Sequence, residues 1–356
     1  MSVHNFFAGP AILPQEVLKT AGKAVNDFDG MGLSLLEISH RSPEFVRILE
    51  EGQVLVRTLL NVPDDYSVLW LTGGASSQFY MAPMNILKKE ETAGYLNTGT
   101  WSKKAIPEAK LYGKVIEVAS SAESNFNYIP KSYALDEKLR YLHITSNNTI
   151  FGTEIHELPP TTTRLVADMS SNIFSRKVDV IKYDLIYAGA QKNLGPAGTT
   201  MVIVKNDVLG KTGRDIPTML DYRTHIEKGS SFNTPPVFPI YVCVLTLRWL
   251  KEQGGVEAME ERNIKKANLL YDEIDRNSLF VGTAAKEDRS RMNVCFLAKD
   301  KELEQAFLKT AADNEIVGIG GHRSVGGFRA SIYNAMPTES VELLVSVMQD
   351  FERQHG

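Results

Sequence analysis

The chain has 356 residues, 43% hydrophobic and 23% charged, so it is long enough for two domains and typical of a globular protein with a substantial core. Its formal net charge of -4 argues against general electrostatic attraction to nucleic acid or to an anionic membrane surface. The N-terminal stretch lacks the basic region of a secretory signal, and the apolar stretch 237–250 is interrupted by Pro239 and Arg248. We therefore expect no membrane span and a cytoplasmic location.

The two cysteines, Cys243 and Cys295, each lie in an apolar stretch. We interpret them as small buried side chains in a reducing compartment, and not as a disulfide. Their spacing matches no common zinc-binding pattern, so we expect no metal site.

Short apolar segments alternate with helical stretches over most of the chain. Several of these segments are hydrophobic at consecutive positions, as expected for strands of a sheet that is covered on both faces. The alternation predicts an α/β domain with a mostly parallel seven-stranded sheet, whose binding site lies at the carboxyl ends of the strands. The predicted strands are 67–71, 93–96, 114–118, 140–145, 164–168, 184–188 and 200–205.

The pattern changes after residue 236, where longer helical stretches dominate. The final hundred residues predict a smaller α+β domain. We divide the chain into a large domain, 16–256, and a small domain made of 1–15 and 257–356. The predicted elements of the second part are helices 240–253, 257–277, 301–314 and 338–353 and a strand 292–297.

Lys192 follows a strand of buried character in the run LIYAGAQKNLGPAG. A lysine in such surroundings loses part of its hydration, which favours the neutral, nucleophilic amine that forms a Schiff base. The alternative is a lysine that caps the strand and reaches solvent. Taken alone, the residue does not decide between the two.

Other polar groups also follow predicted strands. Gly73 and Gly74 form a turn before a helix, where backbone N–H groups suit a phosphate, although most such pairs are simple turns. Trp101, which we place in a loop, offers a flat surface for a ring or belongs to the core. Asp168 ends an apolar strand as a partly desolvated carboxylate or caps a helix. The segment 147–149 contacts a ligand or shapes a turn.

Two clusters of cations interrupt apolar and glycine-rich sequence. The run GGHRSVGGFR contains His322, Arg323 and Arg329, and SLLEISHR contains His40 and Arg41. Guanidinium groups offer paired donors for carboxylate or phosphate, so we favour ligand contact over solvated surface charge. These features together provide the amine, pyridine partner, phosphate cradle, stacking surface and carboxylate clamp that a pyridoxal-phosphate enzyme requires.

The chain resembles the phosphoserine aminotransferases, a family in class V of the fold-type I pyridoxal-phosphate enzymes. The resemblance runs almost end to end and is carried by FFAGPAILP, EISHR, TGGASSQF, NTGTWS, ADMSSNIFSR, YAGAQKNLGPAG, FNTPP, RSRMNV, GHRSVGGFRASIYNAMP and FERQHG. It implies reversible transfer of an amino group between L-glutamate and 3-phosphohydroxypyruvate, giving 2-oxoglutarate and O-phospho-L-serine in serine biosynthesis. Use of 4-phosphohydroxy-L-threonine in vitamin B6 biosynthesis stays open.

The resemblance also implies a role for each site residue. Lys192 bonds to pyridoxal 5'-phosphate, Asp168 pairs with its pyridine nitrogen and Trp101 stacks on its ring. The chain forms a homodimer in which residues of one subunit complete the site of its neighbour. The remaining cofactor contacts are Ala75, Ser76, Thr149, Ser171, Gln191 and, from the neighbouring subunit, Asn233 and Thr234. The substrate contacts are His322, Arg323, Arg329 and, from the neighbouring subunit, His40 and Arg41.

One position departs from the pattern, because some bacterial relatives carry an arginine where this chain has Ser76. Two alternatives also stay open. The first is another class V enzyme, such as an alanine–glyoxylate type aminotransferase or a cysteine desulfurase, although a desulfurase needs a nucleophilic cysteine on a mobile loop. The second is a non-catalytic phosphate-binding module in which Lys192 is only a cation.

Overall fold

The computed structural model describes residues 3–356. Sequence signals account for the start of α2, which begins at Pro43 while Ser42 Oγ accepts the Phe45 amide at 3.4 Å. The helices are α1 (Gln15–Asn26), α2 (Pro43–Leu60), α3 (Gln78–Ile86), α4 (Thr100–Ala109), α5 (Tyr222–Glu227), α6 (Val237–Glu252), α7 (Gly255–Arg276), α8 (Leu303–Asp313) and α9 (Thr338–His355). Within residues 3–356, none of them is both long and apolar enough to span a bilayer.

The strands lie mostly in one large sheet and one small sheet. They are β1 (His4–Asn5), β2 (Tyr66–Thr72), β3 (Thr92–Asn97), β4 (Lys114–Ser120), β5 (Leu142–Thr145), β6 (Asn147–Asn148), β7 (Thr153–Glu154), β8 (Leu165–Asp168), β9 (Tyr183–Gly189), β10 (Thr199–Lys205), β11 (Phe280–Gly282), β12 (Asn293–Ala298), β13 (Ile316–Val317) and β14 (Phe328–Ser331).

The large sheet has seven strands in the order β2-β10-β9-β8-β5-β3-β4. The run from β4 to β9 is parallel throughout, whereas β10 is antiparallel to both of its neighbours. Each strand coincides with a predicted segment. The prediction of a mostly parallel seven-stranded sheet is therefore confirmed.

Alternate residues of the large sheet pack into two different cores. Leu165 and Ala167 contribute to a core with residues of α1, α2 and α6, whereas Val166 between them contributes to a core with residues of α3 and α4. Because both faces are covered, the strands are apolar at consecutive positions. Polar side chains end several of its strands, among them Asn97, Thr145 and Asp168.

A third core lies among α7, α8, α9 and the small sheet, in which the strand order is β11-β12-β14. The N-terminal segment joins it, because Phe6 is part of this core and β1 pairs with β13. The helices and the strand predicted after residue 236 are all present, with ends shifted by a few residues. Residues 1 and 2, which we assigned to the small domain, lie outside the described residues.

Candidate active site

A cavity of about 280 Å³ opens at the carboxyl ends of the parallel strands, where the sequence predicts the binding site. Residues that end or follow β2, β5, β8 and β9 form most of its wall. The predicted site residues that line it are Ala75, Ser76, Trp101, Thr149, Asp168, Ser171, Gln191, Lys192, His322 and Arg329.

Lys192 lies in the turn that follows β9, and its side chain lines the cavity. Desolvation lowers the pKa of Lys192 from 10.5 to about 8, the nearby carboxylate of Asp168 opposes this shift, and the Arg329 guanidinium reinforces it. The surroundings are close-fitting, since a Cβ added to Gly9 would lie 3.4 Å from Lys192 Cγ. The amine is therefore easier to deprotonate, and more available as a nucleophile, than an exposed lysine.

Asp168 is the last residue of β8, and only 6% of it is exposed. Burial raises the pKa of Asp168, while the hydrogen bond from Ser170 and the charge of Lys192 act in the opposite direction. Ser170 donates its hydroxyl at 2.6 Å and its amide N–H at 2.9 Å to Asp168 Oδ1. The Ser170 hydroxyl in turn accepts the Gly189 amide at 3.0 Å. The carboxylate is thus held in one orientation at the cavity wall.

Trp101 lies in the first turn of α4 and not in a loop, so this detail of the prediction is wrong. The helix begins at Thr100 because the Ser102 hydroxyl accepts the amides of Thr98 and Gly99, each at 3.1 Å. The indole Nε1 of Trp101 donates to Thr149 Oγ1 at 3.1 Å, which fixes the ring plane. Lys192 Nζ lies 5.5 Å from the ring centroid, so the ring borders the space around the amine.

The start of α3 contributes backbone donors to the cavity. Ala75 and Ser76 form a helical turn that leads directly into α3, so their amides precede its hydrogen-bond ladder. A Cβ added to Gly189 would lie 3.3 Å from the Ala75 amide nitrogen and 2.9 Å from Gln191 Oε1. Glycine at position 189 therefore keeps this space free. Such a space, with amide donors at a helix start, suits a phosphate group.

Cations collect at the mouth of the cavity. Arg329 in β14 donates Nη1 to the carbonyl of Thr149 at 2.9 Å, while its buried Nε has no hydrogen-bond partner among residues 3–356. His322 also lines the cavity, and burial lowers its pKa, with further lowering by Arg329, Arg323 and Lys104. An unpaired buried guanidinium nitrogen favours an anionic ligand in this position.

These groups match the parts of pyridoxal phosphate one by one. The desolvated amine of Lys192 suits the aldehyde of the cofactor, and the buried carboxylate of Asp168 suits its pyridine nitrogen. The Trp101 indole offers a surface for the ring, and the space at Gly189 offers room for the phosphate. The residues present therefore fit the cofactor that the resemblance implies.

Five predicted site residues do not line the cavity. Arg323 is exposed beside His322, and His40, Arg41, Asn233 and Thr234 lie on other segments of the surface. His40 Nε2 is buried without a hydrogen-bond partner among the described residues, and Asn233 Nδ2 reaches only the carbonyl of Thr234, at 3.1 Å.

The site also contains residues that the sequence analysis does not predict. Thr145 ends β5 in register with Asp168, and its buried hydroxyl has no partner among residues 3–356. Its position at a strand end is a signal that could have identified it. Gly9 and Ile150 also line the cavity. Gly9 comes from the N-terminal segment, for which strand patterns give no indication.

Both cysteines are buried, as predicted: Cys243 is 0% and Cys295 5% exposed. Burial raises the pKa of the Cys243 thiol far above its usual range and that of Cys295 to about 12. Neither thiol is therefore available as the nucleophile that a desulfurase needs.

The sequence matches the family model described as "Aminotransferase class-V" over residues 3–344. It is 60% identical over 357 aligned residues to a phosphoserine aminotransferase of Bacteroides thetaiotaomicron, with 100% of each chain covered.

Solved structures agree with this match. The phosphoserine aminotransferase of Bacillus circulans subsp. alkalophilus superposes with a TM-score of 0.96 at 45% identity, covering 100% of this chain and 99% of the other. A phosphoserine aminotransferase of Trichomonas vaginalis, solved with pyridoxal phosphate bound, superposes with a TM-score of 0.93 at 37% identity, covering 98% of this chain and 100% of the other. The chain therefore belongs to the class-V aminotransferases and, within them, to the phosphoserine aminotransferase family.

Proposed function

We propose that the chain is a pyridoxal-phosphate-dependent transaminase that transfers an amino group reversibly between L-glutamate and 3-phosphohydroxypyruvate, forming 2-oxoglutarate and O-phospho-L-serine. The observation that carries this proposal is the desolvated Lys192, which shares one cavity with Asp168 and with the cations at its mouth. The names and the full-length similarity of the relatives support the same reaction.

Lys192 Nζ anchors the cofactor and later moves protons. When bound, pyridoxal phosphate supplies an electron-accepting ring that stabilises negative charge on the substrate's α-carbon. Because burial lowers the pKa of Lys192, its Nζ would accept the proton from that carbon as a general base and return a proton as a general acid in the opposite direction.

Asp168 places a negative charge at the pyridine nitrogen and keeps that nitrogen protonated. This requires Asp168 to stay ionised although it is buried, and the two hydrogen bonds from Ser170 favour the ionised form. The Trp101 indole, held by its hydrogen bond to Thr149, would lie against the ring of the bound cofactor.

We propose that positively charged side chains select the substrate by its negative charges. Arg329 binds the substrate carboxylate, because its Nη1 is fixed by Thr149 while its Nε lacks a partner among the described residues. The phosphate is bound by His322 and Arg323 together with His40 and Arg41 of a second subunit. An unphosphorylated oxo acid would leave several of these cations without a counter-charge.

The proposed homodimer is supported by the surface around the residues outside the cavity. Leu33 and Leu36 precede His40 and are 47% and 61% exposed, and Phe232 beside Asn233 is 36% exposed. Apolar groups of this size are costly to leave in water, and a second copy of the chain would cover them. In this dimer, His40, Arg41, Asn233 and Thr234 of one subunit complete the site of the other.

The division into domains 16–256 and 1–15 with 257–356 is also our proposal. It is supported by the separate core that contains Phe6 and residues from 267 to 351. We further propose that the protein acts in the cytoplasm, which agrees with two reduced, buried cysteines.

The proposed function is tested by assaying the purified protein with pyridoxal phosphate and L-glutamate against two oxo acids, 3-phosphohydroxypyruvate and its unphosphorylated counterpart. We expect a visible cofactor absorbance and a strong preference for the phosphorylated acid. A colourless protein would favour the simple phosphate-binding module. Equal use of both acids would favour another class V aminotransferase.

A further inference from the structure

The ammonium group of Lys104 lies close to a residue of the candidate active site. It follows Trp101 by three positions in α4, and this spacing places two side chains on the same face of a helix. Lys104 Nζ lies 5.0 Å from the centroid of the Trp101 ring, within the range of a cation–π contact. An otherwise exposed lysine is thereby directed towards a residue that lines the cavity.

The charge of Lys104 also reaches a second residue that lines the cavity. His322 lines the cavity from the small-sheet side, and its pKa is lowered by burial first, then by the charges of Arg329, Arg323 and Lys104. The ammonium group and the two arginines thus act electrostatically on the same side chain, that of His322. Trp101 and His322 are both within its electrostatic reach, although they come from elements far apart in the sequence.

The proposed substrate needs such a cation. A phosphate monoester carries nearly two negative charges at neutral pH, and the substrate has a carboxylate in addition. Arg329 is assigned to the carboxylate and Lys192 to proton transfer. Burial and the neighbouring cations lower the pKa of His322, which favours a hydrogen bond from its imidazole over a full positive charge. Ser76, which also lines the cavity, is uncharged.

We propose that Lys104 is a specificity-determining residue whose ammonium group binds the phosphate of the substrate at the cavity mouth. The inference rests on the proposed function, because it assigns a role within the same site. It adds to Arg323 a second cation that would contact the phosphate from the chain carrying Lys192, whereas His40 and Arg41 would come from the partner subunit.

The test compares Lys104→Met, Lys104→Arg and Lys103→Met with the unmodified holoenzyme. Lys103 is the matched control, since it is also exposed but follows Trp101 by only two positions and so points to another side of α4. For each protein, KM is measured for O-phospho-L-serine and for L-glutamate. Binding of O-phospho-L-serine is also measured directly by titrating the cofactor's visible absorbance.

We expect Lys104→Met to raise KM and the dissociation constant for O-phospho-L-serine by about fivefold, the size of one partly exposed charge contact. KM for L-glutamate should rise less, kcat should change less than KM, and the KM difference should shrink at high salt. Lys104→Arg should restore most of the affinity, and Lys103→Met should behave as the unmodified enzyme.

Three results would overturn the inference while leaving the proposed function intact. They are unchanged phosphoserine affinity in Lys104→Met, equal losses for both substrates, or the same loss in Lys103→Met. A loss that appears instead in cofactor affinity would assign Lys104 to the support of Trp101. If the unmodified enzyme shows no preference for phosphorylated substrates, the proposed function fails first, and the inference falls with it.

Discussion

The wall of the cavity and the loops that carry His40, Arg41, Asn233 and Thr234 differ in how they are held. On the wall, Asp168, Trp101 and Arg329 are fixed by hydrogen bonds of 2.6 to 3.1 Å to neighbouring residues of the same chain. In the loops, Arg41 and Thr234 are exposed. Chemistry that needs a rigid geometry can thus be completed within one chain, whereas the proposed site for the substrate phosphate is completed by residues of a second copy.

The sharpest test of the wall is removal of its amine. In Lys192→Ala we expect turnover to fall by about a thousandfold or more, because the covalent anchor and the general base are lost together. Absorbance spectra should show no Schiff base, and borohydride treatment should leave the protein unlabelled. Lys103→Ala, which removes an exposed lysine of α4, is the control and should retain both signals. Covalent labelling of Lys192→Ala at another lysine would show that the anchor has been misassigned.

The desolvation of Lys192 should be visible in its pH dependence. With its pKa lowered from 10.5 to about 8, about 10% of the amine is neutral at pH 7, against about 0.03% for an ordinary lysine. Because only the neutral amine condenses with an aldehyde, the labelling rate of apoprotein by pyridoxal phosphate should rise with pH, with a midpoint near 8. The measurement is borohydride trapping followed by mass spectrometry.

Two variants sharpen this test, because they should move the midpoint in opposite directions. Asp168 raises the pKa of Lys192, so Asp168→Asn should lower the midpoint. Arg329 lowers the pKa of Lys192, so Arg329→Met should raise the midpoint. Shifts of the same sign in both variants would contradict the electrostatic account of the wall.

The loops are tested by replacing Arg41. Because its charge is proposed to act in the partner's site, Arg41→Met should lower kcat/KM for phosphorylated substrates by about thirtyfold and leave the cofactor spectrum unchanged. Arg47→Met is the control, since Arg47 is exposed on α2 and pairs with Glu44 at 3.6 Å.

Mixing subunits separates a shared site from a distant structural effect. Arg41→Met and Lys192→Ala chains, dissociated and reassembled together, should recover about a quarter of the unmodified activity, because half of the dimers are hybrids with one intact site. No recovery on mixing, with dimers formed, would mean that Arg41 acts within its own subunit.

Most residues of the cavity wall can be predicted from the sequence, and the residues that cannot be predicted have physical reasons in common. Strand ends can be located from apolar runs, so Asp168 and Lys192 are found by position as well as by resemblance. Trp101 was misplaced in a loop, because the helix start at Thr100 depends on the Ser102 hydroxyl capping two amides. Gly9 reaches the site through tertiary packing of the N-terminal segment, and no local pattern encodes that contact. The positions of His40 and Asn233 relative to a partner subunit are likewise absent from any pattern within one chain.

The smallest effect predicted for the wall concerns its support by Ser170. Ser170→Ala removes the hydroxyl that donates to Asp168 at 2.6 Å, so the buried carboxylate loses a bond that favours its ionised form. The pKa of Asp168, already raised by burial, should rise further, and its charge should then be lost at a higher pH than in the unmodified enzyme. We expect kcat to fall by about tenfold, cofactor affinity to weaken, and the acid limb of the pH–rate profile to move to higher pH.

Ser175→Ala is the matched control, since Ser175 is equally buried in the same segment but donates to the carbonyl of Asn172. An acid limb that stays in place while kcat falls would mean that Ser170 orients Asp168 without tuning its charge. If both variants lose activity equally, the rigidity of this wall comes from the whole segment and not from the bond between Ser170 and Asp168.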